Sequence, residues 1–95
     1  MIGAIVPIEG GNTSAQVSYQ FKSDLYYGLQ SYDVEMLQRT LNRINDKDGR
    51  LFTTFNFTGY FGGMTLKAVK RFQALKGIQQ TGYVGKLTRE ALNNL

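Results

Sequence analysis

Residues 58–72 read TGYFGGMTLKAVKRF, and residues 81–95 read TGYVGKLTREALNNL. Aligned on their first threonine, the stretches agree at Thr58/Thr81, Gly59/Gly82, Tyr60/Tyr83, Gly62/Gly85, Thr65/Thr88 and Ala68/Ala91. Each phrase stands directly before an amphipathic run, so the repeat reads as one way of launching a helix, used twice. Gly62 and Gly85 fall at the N-cap, and Gly59 and Gly82 supply a tight or positive-φ turn ahead of it. Thr65 and Thr88, three residues on, can reach back toward the cap in a rearranged capping box. Phe61 and Val84 are apolar anchors. Tyr60 and Tyr83 differ from the rest: no cap or turn needs a phenol there. They are expected to stand half-exposed as contact residues.

Outward from the repeat, the periodicity predicts a helix over about Gly63–Lys76 with Met64, Ala68, Val69, Phe72 and Leu75 buried. Gly77 follows it in the place of a left-handed closing residue. A further helix over about Lys86–Leu95 buries Leu87, Ala91, Leu92 and Leu95. Upstream, Val34, Leu37, Leu41 and Ile44 mark a helix that starts at Ser31 or Asp33, either of which can cap it. It ends at the turn chemistry of NDKDGR, residues 45–50. Three short amphipathic helices cannot each hide an apolar face alone. The expected fold is therefore mainly α, a compact three-helix bundle with a pseudo-symmetric loop–helix repeat and a short N-terminal β-strand or hairpin. Ile2–Val6 and VSYQFK (17–22) have strand character. LFTTFNF (51–57) reads as a short strand or flap able to pair with VSYQF, with some of its rings in the core. Residues 1–16, with a proline and a Gly-Gly pair, read as a tail or linker before a domain over 17–95.

The chain of 95 residues contains no histidine and no cysteine. That removes Ser-His and Cys-His nucleophilic pairs, thiolate metal sites and disulfides together. No serine begins a Ser-x-x-Lys motif, and Gly62-Gly63 is not followed by the Lys-Ser/Thr of a phosphate loop. Asp33 and Glu35 lie two apart on a helix and point in different directions, unlike a glycosidase pair. No catalytic residue is expected. A calcium loop centred on Gly49 would put Ile44 and Phe55 where carboxylates are required, so no metal or other cofactor is expected. The net charge is +4, which favours anionic partners. Lys67, Lys70, Arg71, Lys76, Lys86 and Arg89 suit a solvated outer face. The alternative of a helix-turn-helix on nucleic acid is disfavoured, because GIQQTGYVG is too long a connection. MIGAIV is too short for a signal-peptide core or a membrane span.

Three blocks in order carry a resemblance. They are Asp33-Val34-x-x-Leu37-Gln38-x-x-Leu41, then Gly59-x-Phe61-Gly62-x-x-Thr65-x-x-Ala68-Val69-x-x-Phe72-Gln73, then Gly82-x-Val84-Gly85-x-x-Thr88-x-x-x-Leu92. From about Leu25 to Leu95 the chain resembles the small peptidoglycan-binding domain of bacterial and phage cell-wall hydrolases. Two departures are a serine at Ser31, where such domains often carry glycine, and the long connection over residues 45–58. The same fold forms the prodomain of matrix metalloproteinases, whose inhibitory cysteine is missing here. The resemblance implies a non-catalytic module that anchors a parent protein, a hydrolase or surface domain in cis, to peptidoglycan glycan and stem peptide in the cell envelope or outside the cell. Neither nucleic acid nor membrane is an expected partner. A structural or protein-interaction module of a phage particle or surface assembly is the alternative. Expected ligand contacts are Tyr60, Tyr83, Gln38, Gln73, Arg39 and Arg71. The glutamines are placed at the edge of the helix interface, where one or both can instead bridge helix to loop.

Overall fold

The computed structural model describes residues 19–95. The expected tail at 1–16 and the strand at Ile2–Val6 lie outside the described residues. Three helices follow one another, with a small hairpin between the first two: α1 (Tyr32–Asn42), β1 (Asn45–Asp46), β2 (Gly49–Arg50), α2 (Gly63–Leu75) and α3 (Lys86–Asn93). Ser31, not Asp33, caps α1, its hydroxyl accepting the Val34 amide at 3.2 Å. Asp33 and Glu35 fall in the first turn, where carboxylates favour the positive end of the helix. Gly62 and Gly85 are the N-caps of α2 and α3, and Gly77 closes α2 at φ +71°.

One core joins the helices. Val34, Leu37 and Leu41 of α1, Ala68, Val69 and Phe72 of α2, and Leu92 of α3 meet Phe61 and Val84 from the loops between them. Leu25, Phe21, Leu51 and Phe52 close it from outside the helices. Four apolar residues expected inside are exposed: Met64, Leu75, Leu87 and Leu95. The reason is polar. Thr65, Gln73 and Thr88 occupy the buried stripe beside them, which turns Met64 and Leu87 outward by one helical position.

The strand expected over residues 17–22 is not found in its described part, residues 19–22. That segment is held by a side chain instead. Asn93 Oδ1 accepts the Phe21 amide at 2.7 Å, and its Nδ2 donates to the Phe21 carbonyl at 3.0 Å. The chain then runs past both repeat loops. Leu25 exchanges two backbone hydrogen bonds with Val84 (3.1 and 2.8 Å), while Gly28 and Leu29 bond Phe61 at 2.8 Å each. LFTTFNF likewise forms no strand and makes no ladder with residues 19–22; the Leu51 amide donates to the Ile44 carbonyl at 2.8 Å. Asn42 Nδ2 takes the Phe52 carbonyl at 2.7 Å, which seats Leu51 and Phe52 in the core and leaves Phe55 74% exposed. The hairpin among the described residues lies in the long connection, and Arg71 of α2 fixes it. The Arg71 guanidinium pairs with Asp46 and reaches the Gly49 and Arg50 carbonyls at 3.3 Å each. Its hydrogen bonds hold the Asp46 carboxyl below the usual carboxylate range.

Phe61 is fully enclosed and its backbone is paired. Phe61→Ala is expected to cost about 3–5 kcal/mol, as a cavity in the core does. Phe55→Ala should stay within about 0.5 kcal/mol, as exposed changes do. Urea unfolding of both variants beside the parent chain measures the contrast.

Candidate functional site

Each repeat loop is gripped by a buried glutamine from the preceding helix. Gln38 of α1 donates through Nε2 to the Tyr60 carbonyl (2.9 Å) and to Thr65 Oγ1 (3.0 Å), and accepts the Gly59 amide on Oε1 (2.9 Å). Gln73 of α2 repeats the pattern. It donates to the Tyr83 carbonyl (2.9 Å) and Thr88 Oγ1 (3.1 Å), and accepts the Gly82 amide (2.9 Å). Both amides are essentially inaccessible. The threonines therefore serve as partners for the glutamines, and neither helix has a side-chain cap, which corrects the capping role expected of Thr65 and Thr88. Gly59 and Gly82 take φ +80° and +78°, and a β-carbon on Gly82 would meet Leu66 Cδ1 at 2.3 Å. Only glycine suits both demands.

The two tyrosines have matching local contacts. Thr58 and Thr81 each accept the amide of the tyrosine two residues on, at 3.1 Å in both copies. The Tyr60 ring folds back over Gly62 and the Tyr83 ring over Gly85, close enough that a β-carbon there would touch the ring at 3.3 and 3.4 Å respectively. One ring face is thus covered by backbone, and Tyr60 and Tyr83 remain 45% and 46% exposed. Beside each ring is a shallow depression, about 240 Å³ at Tyr60 and about 260 Å³ at Tyr83. Gln38 and Gln73 line their floors, and exposed Met64 and Leu87 line the equivalent flanks.

The two copies are not identical. Tyr83 is stacked on Tyr26 with ring centroids 5.9 Å apart, and its hydroxyl donates to Asp24 Oδ2 at 2.8 Å. That bond pushes the Tyr83 phenol above its ordinary range. Arg89 Nε stands 3.0 Å from Asp24 Oδ1 and holds it in place. The sequence signal for Tyr26 and Asp24 is absent, because they lie far from the repeat along the chain. The expected arginines are placed elsewhere. Arg39 pairs with Glu35 at 3.0 Å and lies over the Phe57 ring at 4.7 Å, while Arg71 is committed to the hairpin. A larger depression of about 430 Å³ lies between the hairpin and the end of α2, with Arg71 in its wall.

Chemically the paired depressions offer aromatic faces, hydroxyls and amides. Among the described residues no cluster of three or more metal-ligating side chains occurs, and no helix is long and apolar enough to cross a membrane.

The sequence model of the peptidoglycan binding domain family matches residues 30–92. That span includes the first two helices, the third up to Leu92, and both clamps. The chain belongs to this family. Comparison with curated proteins gave no match.

Replacing Gln73 by leucine would leave the Gly82 amide, the Tyr83 carbonyl and the Thr88 hydroxyl without their buried partner. At about 1–3 kcal/mol for each group so orphaned, Gln73→Leu is expected to destabilise the fold by several kcal/mol, measurable by thermal melting. Alkaline titration of tyrosinate absorbance provides a second check. The Tyr19 phenol is pushed up to about 12, chiefly by the hydrogen bond it donates to Asp33. Its folded value exceeds the unfolded value of about 10, so its contribution to stability is full below pH about 10 and lost as pH rises through about 12. Asp33→Asn and Asp24→Asn should return Tyr19 and Tyr83, respectively, toward ordinary ionisation.

Proposed function

We propose that this peptidoglycan-binding chain is a non-catalytic anchor, holding a parent hydrolase or surface protein on the cell wall in the envelope or outside the cell. The observation that carries the reading is the doubled, clamped tyrosine shelf. Two half-exposed rings stand on loops held by buried amides, each beside a shallow, mainly apolar depression, on a chain without histidine or cysteine. A rigid aromatic face costs little entropy to dock against a ligand, because its conformation is already fixed.

In this reading Tyr60 and Tyr83 make the contacts, and Met64 and Leu87 add apolar area next to them. Gln38 and Gln73 act through the loops they hold, and the exposed edge of Arg39 supplies a cation for wall carboxylates. Arg71 supports the hairpin beside the larger depression. Shallow open sites bind weakly one at a time. Retention on the wall then comes from tethering to the parent protein and from the repetition of the polymer.

Sedimentation with purified insoluble sacculi tests this. The chain is expected in the pellet at physiological salt, where non-specific attraction of its positive charge is screened. The double variant Tyr60→Ala, Tyr83→Ala should move most of it to the supernatant with its helical circular dichroism intact. Full recovery of the parent chain in the supernatant at low salt would refute the proposal.

A further inference from the structure

We infer that the groove between α2 and the long connection before it docks an extended segment of a protein partner, apolar at both ends with a carboxylate between them. This goes beyond the wall-binding reading above and does not depend on it.

Two depressions make up the groove. One, of about 230 Å³, is lined by Leu51, Phe52, Thr53, Met64, Lys67 and Arg71. The other is the depression of about 430 Å³ beside the hairpin, with Ala74, Leu75 and Gln80 in its wall. Arg71 lines both, so they are continuous along one side of α2. The helix from Met64 to Leu75 rises about 16 Å, a length that about five residues of extended peptide cover. Met64 and Leu75 are exposed and supply an apolar seat at each end. Thr53 stands on the opposite rim, and residues 53–58 make no backbone–backbone hydrogen bond among the described residues. An unpaired main chain beside a groove is what an extended peptide pairs with.

Charge decides the occupant. Residues 43–76 hold seven of the chain's eleven Lys and Arg but two of its seven Asp and Glu, so this side of the domain attracts acidic partners. Asp46 neutralises Arg71. Lys67 enters no ion pair among the described residues, and no acid lines its part of the groove. A carboxylate seated there meets an uncompensated ammonium. A linear polyanion suits the groove less, because Asp46 and Asp48 line the hairpin end and repel repeated phosphates, and Ala74 and Leu75 beside them are apolar. A stem peptide of the wall, mostly alanine methyls between charged ends, would leave the seats at Met64 and Leu75 unfilled. A protein segment with larger apolar side chains fills them.

Affinity selection from a random library of capped hexapeptides on the immobilised chain, at physiological salt, tests the assignment; amide NMR with the enriched peptide then locates it. Enriched sequences are expected to carry Asp or Glu between two large apolar residues. Lys67→Glu alters an exposed side chain. It should turn the acidic preference to Lys or Arg and weaken the original peptide about tenfold, the scale of exchanging one exposed attraction for a repulsion. Leu75→Ala should relax the apolar preference at one end and leave the acidic one. Amide shifts are expected at Thr53, Thr54 and along α2. No enriched sequence, an acidic preference indifferent to Lys67→Glu, or shifts at the Tyr83 loop instead would each overturn the inference. Equal binding of a free wall stem peptide in the groove would overturn it too, and would give the groove to the wall. Insoluble sacculi should capture the parent chain and Lys67→Glu alike, so the wall reading and this one fail separately.

Discussion

A primary amide buried in an apolar core has to satisfy its donors and acceptor or destabilise the fold. Gln38 and Gln73 meet that demand by taking hold of the backbone of the next loop and the threonine of the next helix. The result is a chain of dependence. Helix α1 positions the first loop and α2, and α2 positions the second loop and α3. The central helix is both held, through Thr65, and holding, through Gln73. In a domain this small such specific contacts fix the angles between helices that side-chain packing alone would leave loose.

The same clamps decide what the surface presents. Because the loop backbone is tied inward at Gly59 and Gly82, the next residue must turn outward and the one after it inward. Tyr60 and Tyr83 are thereby exposed, and Phe61 and Val84 are driven into the core. Surface exposure and stability share one short phrase, with alternate residues serving each. The rings cannot fall flat into the helix start, since Gly62 and Gly85 already support them from below.

The long connection between α1 and α2 follows another logic. Its hairpin has only two residues per strand, too little to be stable alone. Arg71 supplies the missing support from α2 through Asp46 and two backbone carbonyls. Asn42 and Asn93 do the same for the irregular segments on either side of the bundle, replacing strand pairing with single side-chain brackets. Among the described residues, 19–22 and 51–57 looked strand-like, but no strand ladder forms there.

The amino-acid sequence by itself determined the three helices, their glycine starts, the inward anchors Phe61 and Val84, the outward tyrosines and the family. Each depends on local chemistry: helical periodicity, cap geometry and the positive φ of Gly59 and Gly82 are written in neighbouring residues. Only the tertiary structure decided which polar residues are core. Hydrophobicity placed Met64 and Leu75 inside, but Thr65 and Gln73 are there instead, because their partners lie on another helix or a distant loop. It also decided that the two tyrosines are unequal. Tyr26 and Asp24 reach Tyr83 from 57 and 59 residues away, and a contact across that much chain leaves no local pattern.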